Sequence, residues 1–208
     1  MKNLEHRSYK CEVRTEENND GTALITGRPI IYNSTTDLGY FKERIDFGAL
    51  NETDLKDVRF LVNHDTSKIP LARSRRNNGN STMQLIADEQ GLYMTAKIDI
   101  ENNAEAKSLN SAIKREDITG MSFMFSVEDE EWQDLDEEQP TRIIKKIGNV
   151  VEVSAVTFPA YNDTSIYSRS NKMALDNAKL TLDNVKKKSL DNDLLLTRQK
   201  YYFFTNQL

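Results

Sequence analysis

Short apolar runs separated by turn-forming residues constrain the fold of this chain more than any other feature. The segment from Thr22 to Tyr32 is rich in β-branched residues and contains Gly27, which predicts a strand with a bulge or bend. Thr82–Ala87 and Leu92–Ile100 are two further apolar runs, and the link Asp88-Glu89-Gln90-Gly91 between them is rich in turn-forming residues. We therefore expect an antiparallel pair here and a mainly β domain around it.

One amphipathic helix interrupts the strand pattern. Asn102 or Asn103 can cap it by accepting a backbone N–H bond. Ala106, Leu109 and Ile113 follow at helical spacing and form one apolar stripe. The sequence then returns to strand-like runs, so the domain is expected to belong to the α+β class.

The composition changes at about residue 168, which divides the chain into a domain over 1–168 and a tail over 169–208. From Met173 onward the chain is rich in Leu, Lys and Asn and lacks Gly and Pro. The triplet Leu-Asp-Asn recurs at Leu175, Leu182 and Leu190, a spacing that keeps the leucines near one helical face. We expect a helical tail that either docks on its own domain, binds a partner or is removed.

Charge and cysteine content exclude several classes of protein. The net charge of −5 over 208 residues argues against binding to nucleic acid, which needs clustered cations. A single cysteine, Cys11, cannot form an intrachain disulfide and fits a reducing compartment. No apolar run approaches the length of a membrane helix, and the first residues lack the apolar core of a signal peptide. We therefore expect a soluble intracellular protein with no nucleic acid or membrane partner.

Two residues stand out chemically. His64 ends the apolar run Phe60–Val62 after a single asparagine, and Ser122 follows Gly120 at the start of an apolar strand. Imidazole is the usual acceptor of a serine proton near neutral pH. A glycine also permits unusual backbone geometry, so free N–H groups near Ser122 could bind an oxyanion. From the residues alone, a structural role is the more common one for each of the two.

A third residue should orient the imidazole and stabilise its cation. Glu152 is the best candidate because a carboxylate inside the apolar strand Val150–Val156 must be paired or exposed. Asp99 and Asp117 are weaker alternatives. His6 lies in a polar segment expected to be mobile, which argues against a role in catalysis.

A cysteine nucleophile, a metal and a cofactor are all disfavoured by the sequence. Cys11 has no neighbour that would lower its pKa and is a weak alternative nucleophile. Two histidines far apart in the chain and one cysteine do not form a recognisable metal-ligand set. There is also no glycine-rich phosphate loop. We therefore predict neither a metal nor a cofactor.

Several segments together resemble the prohead (procapsid) maturation protease family of tailed phages. The resemblance runs in order from about Thr22 to Thr164. The segments that carry it are Gly27–Ile30, Val62–Asp65, Gly91–Tyr93, Lys114–Phe123 and Val151–Tyr161. The combination of four short motifs in this order is specific to the family: Asn-His-Asp, Gly-Met-Ser-Phe, Glu-Val-Ser and Pro-Ala-Tyr.

This resemblance implies a serine endopeptidase inside the immature capsid, in the host cytoplasm. Such an enzyme cleaves scaffold or the scaffold-like segment of the major capsid protein, and often itself. It can also form a homo-oligomer. The family is distantly similar to herpesvirus assemblins, which implies a compact antiparallel β-barrel with flanking helices.

The resemblance also assigns roles to individual residues. It makes His64 the base and Ser122 the nucleophile. Assemblins use a second histidine as the third member, but His6 lies outside the matched segments, which favours Glu152. Independently of the resemblance, Arg142 or another basic side chain could help at the oxyanion through a water molecule.

Two other functions remain open at the level of sequence. One is a non-catalytic capsid-assembly or scaffold-binding module that acts through the Leu175–Leu190 helix. The other is a cysteine peptidase that uses Cys11.

Overall fold

A computed structural model describes residues 4–77, 79–158 and 165–205, and within them the chain forms eleven strands and two α-helices. The strands are β1 Leu4–Lys10, β2 Val13–Glu17, β3 Thr22–Ile31, β4 Thr35–Asp37, β5 Lys42–Ile45, β6 Arg59–Val62, β7 Ala72–Arg73, β8 Met83–Asp88, β9 Gly91–Asp99, β10 Gly120–Gln133 and β11 Thr141–Val156. The helices are α1 Ala104–Lys114 and α2 Ser165–Thr205.

The larger sheet is organised around the long strand β11. Its strand order is β1-β10-β11-β5-β4, and β6 also pairs with β11 while β7 pairs with β6. One end of β11 pairs in parallel with β5, and the other end pairs in parallel with β6 over Glu152–Ala155. The end of β6 is therefore placed beside the last residues of β11.

The smaller sheet has the order β2-β3-β9-β8. Its β8–β9 hairpin confirms the predicted antiparallel pair, and a register shift between Gly27 and Ile30 confirms the predicted bulge in β3. Gly91 begins β9 with φ of 140°, and a β-carbon there would lie 2.0 Å from the carbonyl oxygen of Ile30. Only glycine allows the two strands to approach this closely.

The main hydrophobic core contains side chains from both sheets and from α1. Met94 of the smaller sheet and Phe60 and Phe123 of the larger one are fully buried in one cluster. Helix α1 adds the predicted stripe of Ala106, Leu109 and Ile113, all buried. Asn103 caps the helix, as the sequence predicts, because its side chain accepts bonds from the first backbone amides.

The mainly β, α+β fold predicted from the sequence is confirmed, but the expected antiparallel barrel is not what the described strands form. They make two sheets, and β1 and β4 lie at opposite ends of the main path of the larger one. The parallel pairing of β11 with both β5 and β6 also departs from an antiparallel barrel. The closure of a barrel depends on such long-range pairings, which local periodicity does not report.

The tail is helical, as predicted, and its first turns pack on the domain. Leu175 is buried in a second apolar cluster with Leu38 and Phe41. Further along the helix, Leu180 and Leu194 are exposed. A domain boundary at residue 168 and removal of the tail stay predictions, and the side chain of Leu190 lies outside the described residues.

Within the residues that the structure describes, no helix is long and apolar enough to cross a membrane.

Candidate active site

The candidate site lies on the face of the larger sheet that points away from the main core. Met121, Phe123 and Phe125 of β10 all belong to that core. Successive residues of a strand point to opposite faces, so Ser122 and Met124 lie on the other face. The sequence signal at this point is the polar hydroxyl of Ser122 inside an apolar run.

Cross-strand pairing builds two rows of side chains on this face. On β10, Met124 is paired with one residue of β1 and one of β11. Ser122 is paired with the residue two positions later in each of these strands. The first row is His6, Met124 and Glu152, and the second row is Ser8, Ser122 and Ser154. Strand β1 and the consecutive strands β10 and β11 therefore contribute to one small area of the sheet.

His64 reaches this area through an unusual backbone conformation at the end of β6. Asn63 and His64 both adopt left-handed conformations, with φ of 49° and 59°. The amide of Asn63 donates to the Ala155 carbonyl oxygen at 2.9 Å, and its side-chain oxygen accepts the Thr157 amide at 2.9 Å. The His64 amide donates to Ser154 Oγ at 3.1 Å. These bonds hold two adjacent residues in a conformation that side chains normally disfavour.

Glu152 is the direct partner of the His64 imidazole. Its Oε1 lies 2.5 Å from His64 Nδ1, and its Oε2 accepts a 2.6 Å hydrogen bond from Ser154 Oγ. The residue is only 1% exposed, so the carboxylate satisfies the expectation that a buried acid be paired. The structure therefore brings together His64 and Glu152, two of the three residues singled out in the sequence.

Ser122 lies on the same face, one diagonal step from Glu152. Diagonal neighbours across antiparallel strands are separated by about 7–8 Å. Ser122 is fully buried, and its Oγ donates to the Arg7 carbonyl oxygen at 2.8 Å. Rotation of the side chain about χ1 is needed to turn the hydroxyl from this carbonyl toward an imidazole.

The sequence predicts free N–H groups near Ser122, but the backbone at Ser122 itself is paired on both sides. Strand β10 begins at Gly120 and is paired on both sides at Ser122, with β1 and with β11. The amide of Ser122 is therefore part of a two-sided ladder rather than a free donor for an oxyanion.

His6 is the residue that sequence reasoning missed. Its segment is not mobile but forms β1, which pairs with β10 from Leu4 to Lys10. The His6 and His64 rings meet edge to face with centroids 4.7 Å apart, and His6 Nδ1 lies 3.9 Å from Glu152 Oε1. Burial, reinforced by the neighbouring His64 and opposed by Glu152, lowers the pKa of His6 to about 4.

No pattern in the sequence marks His6, although half-buried and buried residues alternate along β1 in the structure. The strand reads half-buried His6, buried Arg7, half-buried Ser8 and buried Tyr9. Arg7 disguises this pattern because its guanidinium is buried in an ion pair with Glu43. A search for alternating apolar residues cannot anticipate a buried arginine.

The weaker alternatives for the third catalytic residue have other partners. Asp99 accepts hydrogen bonds from the amides of Glu101 and Asn102, and Asp117 pairs with Arg115. Neither carboxylate is therefore engaged with the imidazole of His64.

Arg142 and Cys11 also do not join the site. The guanidinium of Arg142 is bound by Glu5, Glu43 and Glu130, and the residue is paired with Trp132, well along β10 from Ser122. The expected help of Arg142 at the oxyanion is therefore wrong. Cys11 lies between β1 and β2, and burial raises the pKa of its thiol.

Comparison with known proteins gives a family and one solved structure. No curated protein sequence matches this chain. The capsid assembly protease gp21 of bacteriophage T4 is similar in structure, with 16% sequence identity and a TM-score of 0.41 over 75% of this chain and 96% of that one. The model of the caudovirus prohead serine protease family matches residues 9–179. The chain therefore belongs to the caudovirus prohead serine protease family and is a serine peptidase of prohead maturation.

Proposed function

We propose that the protein is an endopeptidase in which Ser122 is the nucleophile, His64 the general base and Glu152 the residue that orients the base. The observation that carries this proposal is the 2.5 Å contact between His64 Nδ1 and Glu152 Oε1 on the sheet face that holds Ser122. The substrates are scaffold or the scaffold-like segment of the major capsid protein, and the enzyme itself, inside the immature capsid.

The reaction is an acyl transfer. The Ser122 hydroxyl turns away from the Arg7 carbonyl oxygen, its proton passes to His64 Nε2, and its oxygen attacks the scissile carbonyl carbon. Collapse of the tetrahedral intermediate breaks the C–N bond, and His64 gives the proton to the departing amine. A water molecule then attacks the acyl group on Ser122 by the same route, which releases the second product and restores the hydroxyl.

Glu152 acts on the base through Nδ1. A carboxylate that accepts a hydrogen bond from Nδ1–H favours the tautomer in which Nε2 is unprotonated and able to receive the serine proton. Its negative charge also stabilises the imidazolium that forms during attack. Ser154 restricts the rotation of the Glu152 carboxylate by donating a hydrogen bond to its Oε2. Asn63 fixes the backbone next to the His64 imidazole.

The test compares Ser122→Ala with Ser8→Ala, a matched control from the same row of side chains but a different strand. We expect Ser122→Ala to abolish cleavage of scaffold and of the enzyme itself while the fold is retained. Ser8→Ala should cleave at a rate close to that of the wild type. Intact mass spectrometry over time reports the cut, and circular dichroism reports the fold. Retained cleavage by purified Ser122→Ala would show that Ser122 is not the nucleophile.

Chemical labelling separates the serine enzyme from the two alternatives. A fluorophosphonate should modify Ser122 in the wild type and leave Ser122→Ala unlabelled. Iodoacetamide should alkylate Cys11 slowly, because burial raises the pKa of that thiol, and should leave turnover intact. Inactivation by Cys11 alkylation alone would favour the cysteine peptidase. A wild-type protein that binds scaffold but neither cleaves it nor reacts with the fluorophosphonate would favour the non-catalytic module.

A further inference from the structure

Three side chains that commonly bind metal ions meet in the candidate site. His6 comes from β1, His64 follows β6 and Glu152 comes from β11. One nitrogen of each imidazole and one carboxylate oxygen all lie within 4.8 Å of one another. Two imidazoles and one carboxylate form the ligand set of zinc sites that keep a fourth position open. The sequence argument against a metal fails here because the sheet register brings two distant histidines into contact.

The distances fit a tetrahedral ion after small movements. Zinc bonds of about 2.1 Å at tetrahedral angles separate the ligand atoms by about 3.4 Å. Glu152 Oε1 lies 2.5 Å from His64 Nδ1 and 3.9 Å from His6 Nδ1, so the first distance has to lengthen and the second to shorten by less than about 1 Å. The two imidazole nitrogens lie within 4.8 Å of each other and have to approach by at most about 1.4 Å. Changes of this size need only rotation of side chains.

The surroundings of the three residues also suit a metal site. Ser154 donates to Glu152 Oε2, which directs Oε1 toward the two histidines. Hydrogen bonds of this kind orient metal ligands and increase affinity. The side chains of His6 and His64 are 19% and 16% exposed, so an ion can reach them from solvent.

We propose that His6, His64 and Glu152 form a site for a divalent cation of the Zn²⁺ type, and that occupation of this site switches the protease off. The metal site stands on geometry alone, whereas the inhibition rests on the function proposed above. The chemistry of the switch is a change of tautomer. A metal ion on His64 Nδ1 displaces the proton from that nitrogen, and the neutral ring then carries its proton on Nε2. A protonated Nε2 cannot accept the proton of Ser122, and Glu152 is withdrawn from its orienting role.

The binding test uses full-length, tag-free Ser122→Ala protein, which cannot cut itself. Zn²⁺ is titrated by calorimetry, and Co²⁺ is titrated by visible absorption. We expect one ion per chain, with Co²⁺ bands typical of four-coordinate cobalt. In the same background, His6→Phe and His6→Gln should weaken binding at least tenfold. Phenylalanine keeps an aromatic edge against His64, and glutamine keeps a polar side chain, so one variant remains informative if the other fails to fold.

Cys11→Ser is the matched control for adventitious binding, because Cys11 is the only thiol and lies away from the site. It should bind Zn²⁺ as tightly as the parent protein. The absence of saturable binding, or equal affinity in both His6 variants, would overturn the metal site.

The inhibition test uses the active enzyme and compares each variant with its own metal-free rate. Zn²⁺ should inhibit the wild type, a chelator should restore the rate, and Mg²⁺ should have no effect at the same concentration. The Zn²⁺ concentration for half inhibition should rise at least tenfold in His6→Phe. Binding without inhibition would overturn the switch and leave the proposed protease intact. An inactive metal-free wild type would overturn the proposed function and the switch together, while the binding titration still decides the metal site.

Discussion

At the scale of single residues, Asn63 and His64 show how the site is assembled under strain. Two adjacent non-glycine residues have φ between 49° and 59°, a region in which a side chain costs about 1–2 kcal/mol per residue. Asparagine tolerates this region better than most residues, and here its side chain also bonds to Thr157. The hydrogen bonds of Asn63 therefore hold the turn from which the His64 imidazole reaches Glu152.

Substitution of Glu152 tests how the base is oriented. In Glu152→Gln the oxygen of the neutral amide can still accept a hydrogen bond from His64 Nδ1–H. The amide lacks the negative charge that would stabilise the imidazolium. We expect kcat/KM for a scaffold peptide to fall at least tenfold, or by about 1.4 kcal/mol of transition-state stabilisation. Ser154→Ala is the graded comparison, since it removes one hydrogen bond to the carboxylate but keeps the charge, and it should cost less. A loss below tenfold in Glu152→Gln would show that Glu152 does not orient the base.

The same residues show what the sequence could and could not predict. Glu152 was predictable because a carboxylate in an apolar strand has to find a partner. His64 and Ser122 were predictable as candidates from their local contexts and from the family resemblance. His6 was not predictable, because its position depends on the pairing of β1 with a strand more than a hundred residues later. No local pattern reports a contact of that range.

At the scale of elements, a buried cluster of charges holds four strands of the larger sheet together. Arg7 of β1 and Arg142 of β11 both bind Glu43 of β5, at 2.7 Å and 3.0 Å, and Arg142 also binds Glu5 at 2.7 Å. Glu130 of β10 completes the cluster. Burial disfavours the charge on Arg142, but the surrounding carboxylates outweigh it and raise the pKa of the guanidinium. The cluster therefore fixes β1, which carries His6, against the rest of the sheet.

Glu43→Gln should be strongly destabilising because it leaves two buried guanidinium groups with too little negative charge. We expect the free energy of unfolding to fall by about 3–5 kcal/mol, the usual cost of breaking a buried ion pair from one side. Glu52→Gln is the matched control, because the Glu52 side chain is 72% exposed and pairs with Lys146 at the surface. It should cost less than about 1 kcal/mol. The free energy of unfolding of both variants is measured by urea denaturation in the Ser122→Ala background. Similar losses of stability in the two variants would show that the buried cluster does not hold the strands together.

At the scale of the whole molecule, α2 docks on the domain through Leu175, and Lys186 further along the helix forms an exposed ion pair with Asp136. The family match ends at residue 179, which includes the docked Leu175 and excludes the exposed leucines that follow. The sequence pattern correctly indicated a helix with one leucine face. It could not show that the face is buried at Leu175 and half-buried at Leu182, because docking depends on Leu38 and Phe41, far away in the chain.

Leu175→Ala should release the helix from the domain. Loss of a buried leucine costs about 2 kcal/mol or more, which raises the population of the undocked state about 30-fold. We therefore expect trypsin to cut α2 much faster in this variant than in its parent, Ser122→Ala. Leu180→Ala is the control, because Leu180 is 61% exposed and contributes little to docking. Equal cutting rates in the two variants would mean that Leu175 does not anchor the tail.

The spread of the site along the chain also sets when activity can begin. Residues that meet in one small area are separated by most of the domain, from His6 in the first strand to Ser154 in the last. Because a protein is synthesised from its N-terminus, His6, His64 and Ser122 are all made before Glu152. Long-range pairings of this kind also form slowly. We therefore expect a nascent chain to lack the complete site, which can form only after β11 has been made and has paired with β10 and β6.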